Sequence, residues 1–356
     1  MKNLKKEFPV TANYTHLNTA GSGLLSETLL DFRQNHDLDY LVMGSLLKND
    51  QDSFLDKVRK DVGAFFNCNA SYVALVPNFS IGFNAVLEGI PATHKILLLE
   101  EDYPSINWPV LSRNFNVCYA SINEHLEDNI QQAIEKEHPD VLCLSLVQYI
   151  SGIRIDLEFL KALKSKFPKL LIIADGTQYC GIESFDFENS GIDILGASAY
   201  KWLNAGYGNG FFLIKQETAL QIELKTTGFN SIRGKYKEAQ NTFIGKLEPG
   251  HLDTLAQGSL QAAIGLIKRV GQHQITTQID ILKTKAFEQF AEKGLLDSVV
   301  LKRKQHSSIF NIRGDQKLFE KLNNNQIICS QRGEGIRVSF HYFNSQDDLL
   351  KLSKLI

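Results

Sequence analysis

Two stretches decide the reading of this chain: Leu170–Gly181, LLIIADGTQYCG, and Asp193–Gly210, DILGASAYKWLNAGYGNG. Each opens on an apolar run of strand length and closes in polar, glycine-containing sequence. A run apolar on both faces predicts a buried strand of a parallel sheet. The first run ends at Asp175, with Gln178 just behind it; the second leads to Ser198 and Lys201. Ligands of open α/β sheets bind at the carboxyl ends of the strands. A carboxylate and an amine are therefore predicted at one such edge.

Working outward, further strand candidates are 72–77, 95–100, 116–122, 140–147 and 210–215, alongside 169–175 and 193–199. Helical patterns fill 52–66, 80–89, 104–114, 125–137 and 156–166 between them. Such alternation predicts a mostly parallel seven-stranded sheet with helices on both sides. Beyond 215 a polar segment (226–250) leads into one long helical pattern, 252–292. Strand-like runs at 308–313, 326–331 and 336–341, with helices near 315–323 and after NSQDD, predict a smaller α+β domain. The expected partition is 16–250 for the large domain and 1–15 with 251–356 for the small one.

Composition narrows the function classes. The chain has 356 residues, 43% of them hydrophobic, and a formal net charge of -2. That balance lacks the basic excess of a general nucleic-acid binder. Five scattered cysteines without a CxxC pair argue against a metal site or disulfide framework and for reduced thiols in the cytoplasm. The N-terminus shows no apolar stretch of signal-peptide type, and no apolar run is long enough to span a bilayer. The GYGNG stretch (206–210) lacks dinucleotide-loop spacing and reads as a tight turn behind Lys201.

The Asp175 and Lys201 pair carries the chemistry. Burial disfavours the ammonium form of a lysine, and a neutral amine is what Schiff-base formation requires. A buried aspartate can keep the ring nitrogen of a pyridine cofactor protonated, which makes the ring an electron sink. Taken singly, Asp175 could cap a loop and Lys201 could be a surface lysine at a turn.

In its DGTQ and SAYKW motifs the chain resembles the class V aminotransferase-fold enzymes, which include cysteine desulfurases, selenocysteine lyases, kynureninase-like and isopenicillin N epimerase-like proteins. The resemblance runs from about Tyr14 to about Asp348. It implies an aminotransferase-type (fold type I) domain, pyridoxal 5'-phosphate as cofactor, an amino-acid substrate and a homodimer. It places the Schiff base on Lys201, Asp175 at the pyridine nitrogen and Gln178 at the phenolic oxygen. Ser198 and Tyr200 fall at phosphate positions. PNFSIGFNAV matches the family's Gly-Thr-Thr-Glu turn, with Phe79 and Ser80 on the threonine positions. Phe79 can offer only its backbone to phosphate, at a helix N-terminus suited to anions. Tyr103 falls where a ring stacks on the cofactor, with Trp108 as rival and loop packing as the plain alternative. Arg337, in GIRVSFHYFN, matches the arginine that grips the substrate carboxylate; otherwise it is a strand arginine in a surface salt bridge.

Two positions depart from the pattern. Tyr149 stands where the family has an Asn that touches the cofactor. His251, in LEPGHLDT, stands where a Thr reaches the neighbouring subunit's phosphate; it serves there, contacts substrate, or is a structural histidine at a subunit contact. Transamination, elimination and racemisation share the first steps, and the sequence does not separate them. Sulfur transfer would need a thiol on a mobile loop, and Cys329 sits on a strand-like run instead. A cofactor-binding protein without catalysis is the remaining alternative.

Overall fold

The computed structural model describes residues 4–231 and 243–356, so part of the polar segment 226–250 lies outside it. Among the described residues there are twelve strands: β1 Thr15–His16, β2 Val73–Val76, β3 Lys95–Leu99, β4 Asn116–Ala120, β5 Val141–Ser145, β6 Leu171–Asp175, β7 Ile194–Ser198, β8 Gly210–Ile214, β9 Ile309–Arg313, β10 Ile327–Ile328, β11 Ser330–Arg332 and β12 Gly335–Ser339. Seven form one sheet in the order β2-β8-β7-β6-β5-β3-β4. Pairings from β4 to β7 are parallel, and β8 is antiparallel to both β7 and β2. β8 alone is therefore reversed, and its first residue Gly210 lies level with Ser198 and Val76 at the carboxyl edge.

The central strands β6, β7 and β8 are buried nearly throughout. Their unbroken apolar runs follow from helices covering both sheet faces. Two apolar clusters result. One holds Leu75, Leu97, Leu142, Ile172 and Leu195; the other holds Ala74, Ile96, Val141, Ile173 and Ile194. Neighbouring residues thus alternate between the clusters, as strand geometry requires.

The predicted long helix over 252–292 is two helices, Thr254–Val270 and Gln272–Glu292. Gly271 breaks it at φ +93°, a conformation that suits glycine. The first half packs against helices Glu27–Met43 and Gln51–Phe66. The expected strand over 326–331 is likewise two short strands with different partners. β10 pairs with β1 from the N-terminus, whereas β11 joins the antiparallel sheet β11-β12-β9. The N-terminal segment therefore crosses to the C-terminal part of the chain, and a further bridge links Asn18 with Ser339. Among the described residues no helix is long and apolar enough to cross a membrane.

Candidate active site

Asp175 closes β6 and Ser198 closes β7, with Lys201 in the turn that follows. Asp175 and Lys201 are each 5% exposed. Asp175 Oδ1 accepts the backbone N–H of Thr177 at 2.7 Å. Burial raises the Asp175 carboxyl above its usual range, and the Thr177 bonds and the charge of Lys201 offset only part of this. Burial likewise lowers the Lys201 ammonium; Asp175 opposes that shift, while Arg337 and Arg332 add to it. Lys201 Nζ has no hydrogen-bond partner among the described residues. It lies 5.6 Å from the ring centroids of both Tyr103 and Tyr200. An amine so placed is easily made neutral and is free to react.

The turn carrying Lys201 is held from several sides. Gly23 N–H donates to Tyr200 O at 2.9 Å. A Cβ at Gly23 would stand 2.2 Å from Lys201 O, so only glycine admits this approach. The N-terminal segment therefore packs against the turn that bears the amine. Trp202, buried, donates Nε1–H to Gln178 Oε1 at 2.8 Å, and Gln178 Nε2 donates to Ala20 O at 2.9 Å. One N–H of the Gln178 amide is left over. His341 sits beneath, its ring stacked on Trp202 and its Nε2 3.0 Å from Trp202 O.

Helix Phe79–Leu87 points its N-terminus at the end of β7. The Phe79 N–H donates to Ser198 Oγ at 2.9 Å, and Ser198 N–H donates to Thr177 Oγ1 at 3.0 Å. Asn78 Oδ1 caps the helix by accepting from Ile81 N–H at 3.0 Å. The N–H and hydroxyl of Ser80 are bonded to nothing among the described residues. The Phe79 N–H, the one group this residue could offer to phosphate, is already engaged by Ser198. Tyr200 stacks on Tyr207, centroids 4.7 Å apart, and burial pushes its hydroxyl up to about 12.

Tyr103, Tyr149, Asp175, Gln178 and Lys201 line one narrow cleft. Tyr103 meets Tyr149 edge-on at 5.1 Å. The rival Trp108 is 68% exposed, away from the cleft. Arg337, on β12, is 3% exposed, so it is no surface salt-bridge arginine. Its Nη1 donates to Tyr149 O at 2.7 Å, and its buried Nε has no partner. Among the described residues no carboxylate pairs with it. Burial first, then the nearby Arg332, pushes Arg337 down to about 10. A buried guanidinium without a counter-ion is expensive unless an anion arrives.

His251 is not brought to this cluster within the chain. It is exposed, its ring 5.7 Å from that of Phe229, and it lines another cleft with Gln51, Arg59 and Glu248. Three residues were missed by the sequence reading. Asp102 is buried and accepts the N–H groups of Tyr103 at 2.6 Å and Ser145 at 2.8 Å. Thr177 bridges Asp175 and Ser198, and Arg332 lies near Arg337 and Lys201. Only Asp102 carried a signal, as a carboxylate at a strand end beside Tyr103.

Comparison with known proteins follows the same lines. The aminotransferase class-V family model matches residues 43–352. The uncharacterized aminotransferase YcbU of Bacillus subtilis (strain 168) is 21% identical over 349 residues, covering 96% of this chain and 93% of that protein. The apo cysteine desulfurase of Thermococcus onnurineus NA1 superposes with TM-score 0.87 at 17% identity, over 99% of this chain and 96% of that one. A mutant of C-DES with glycine covalently linked to its PLP cofactor gives TM-score 0.89 at 17% identity, over 99% and 98%.

Proposed function

Because this chain belongs to the aminotransferase class-V family, we propose that Lys201 is the attachment amine of a pyridoxal-phosphate-dependent enzyme acting on an amino acid. The observation that carries this is the buried, unpartnered Lys201 Nζ set beside Asp175, with Arg337 buried nearby and lacking a counter-ion.

The residues present fit the cofactor. Ser80 keeps a free N–H and hydroxyl at a helix N-terminus beside Ser198, a donor set suited to phosphate. Asp175 supplies a buried acceptor for a ring N–H, Gln178 keeps one N–H for a ring oxygen, and Tyr103 supplies a flat apolar face. Tyr200 has a hydroxyl for the phosphate. Bound there, pyridoxal phosphate supplies an electron sink that weakens the bonds at the substrate Cα.

The chain's own groups do the rest. Asp175 would hold a proton at the ring nitrogen of the bound group, and Lys201 Nζ would carry a proton to or from the substrate Cα. Arg337 binds the α-carboxylate through its unoccupied donors and so fixes which Cα bond faces Lys201. Asp102 positions Tyr103 by holding its backbone.

We place the enzyme in the cytoplasm as a homodimer. Five unpaired thiols accord with a reducing compartment. Leu41 and Val42, 80% and 76% exposed, give an apolar face of the kind a second subunit covers. His251 lies outside its own chain's cleft, where it can complete a partner's phosphate site.

Carbon–sulfur cleavage is a second reading, favoured by the fold shared with a cysteine desulfurase. Cys329 weighs against a thiol-mediated version, since it is 6% exposed and burial pushes its thiol up to about 11. Turnover of a panel of amino acids with and without keto-acid acceptors, in wild type and Lys201→Ala, tests the assignment. Turnover that survives Lys201→Ala undiminished contradicts it.

A further inference from the structure

The hairpin β11–β12 carries two arginines toward the same side. Its register pairs Ser330 with Arg337 and Arg332 with Gly335. Side chains alternate along strands, so Arg332 and Arg337 project from one face as a diagonal cross-strand pair. The opposite face holds Ile336 and Val338, both fully buried in the core. Gly335, facing Arg332, has no side chain of its own, and the Asn311 amide takes the space, its Oδ1 2.0 Å from where a Cβ would stand. The hairpin turn leans on the cleft wall: a Cβ at Gly333 would lie 3.3 Å from Ile150 Cγ2, next to Tyr149. Asn311 Nδ2 fixes the strand by donating to Arg332 O at 2.7 Å.

Two guanidiniums side by side repel unless an anion lies between or beside them. Among the described residues neither has a carboxylate partner. Arg332 spends only Nη1, on Gln331 O at 2.9 Å. Its charge adds to the lowering of both the Arg337 and the Lys201 cation, so it stands within electrostatic reach of the cleft. Arg337 is buried and Arg332 exposed. The inner cation therefore suits the α-carboxylate, and the outer one a group further from Cα.

We infer that Arg332 reads a second anionic group on the substrate side chain, making the preferred substrate a dicarboxylic amino acid. The inference rests on the amino-acid reading of the Lys201 cleft.

The test titrates the holoenzyme with L-glutamate, L-glutamine, L-aspartate and L-asparagine, reading affinity from the cofactor absorption band. A charge-assisted pair predicts that each acid binds at least about tenfold tighter than its amide in wild type, and that this ratio falls to about one in Arg332→Gln. A second readout needs no turnover. Glutarate should raise the melting temperature more than butyrate does in wild type, and equally little in Arg332→Gln. A wild type indifferent to the distal carboxylate overturns the inference. So does an acid-to-amide ratio that persists in Arg332→Gln, which would assign Arg332 to the α-carboxylate or to solvent. If no amino acid perturbs the band of wild type, the amino-acid reading of the cleft itself falls, and the inference falls with it.

Discussion

Trp202 donates its indole N–H to the Oε1 of Gln178, so the residue after Lys201 fixes an amide that lines the same cleft as Lys201. Trp202→Phe keeps the buried ring and removes that donor. Gln178 Oε1 is then buried and unsatisfied, at a cost of about 1–3 kcal/mol. The expected result is a lower denaturant midpoint together with weaker cofactor retention in an absorbance titration. A loss of stability without a change in cofactor affinity would confine Trp202 to packing.

Arg337→Ala should raise KM for amino acids sharply. Each charge-assisted bond to a carboxylate is worth about 1.5–3 kcal/mol. The absorption band of the bound cofactor should stay in place, and amines without a carboxylate should be affected far less. Arg337→Met should in addition raise the melting temperature of the free protein, because it removes a buried charge without a counter-ion. Equal losses for amines and amino acids would contradict the assignment.

Acid should destabilise the fold through two buried histidines, one of which, His341, lies against the Lys201 turn. Burial lowers His306 to about 4 and His341 to about 3, from 6.5. Between those values and 6.5 the unfolded chain binds more protons than the folded one, so stability falls as pH falls through that window. His341 Nε2 also holds Trp202 O. His341→Gln retains a donor and cannot charge, so unfolding free energy against pH should be flatter below 6.5 than in wild type. An unchanged acid limb would contradict this.

Cys329→Ser should leave the native activity intact, because its thiol is buried and its raised pKa keeps it protonated near neutrality. Sulfide release from cysteine that disappears in Cys329→Ser would restore thiol-mediated sulfur transfer.

The sheet was legible because its strands are buried on both faces and stand as continuous apolar runs, as in β6 and β7. Helix Glu27–Met43 was not, because Leu38, Tyr40, Leu41 and Val42 are all exposed and blur the helical period. The split of 326–331 depends on β1 arriving from the other end of the chain, which local sequence does not show. Within the site, Asp175 and Lys201 were marked by the strand ends that carry them. Asp102 showed only as a carboxylate at a strand end, since its bond to Ser145 on β5 is not local, and Arg332 was hidden, since it matters through its register with β12. His251 falls outside the Lys201 cleft and lines another one.

The central claim is that Lys201 carries the cofactor, and borohydride reduction of the holoenzyme tests it most directly. Peptide mass spectrometry should find the reduced pyridoxyl group on Lys201. Lys201→Ala should yield no covalent adduct, though it can still hold free cofactor at Ser198, Ser80 and Asp175. An adduct on another lysine in wild type, or a reducible adduct that survives in Lys201→Ala, would contradict the account.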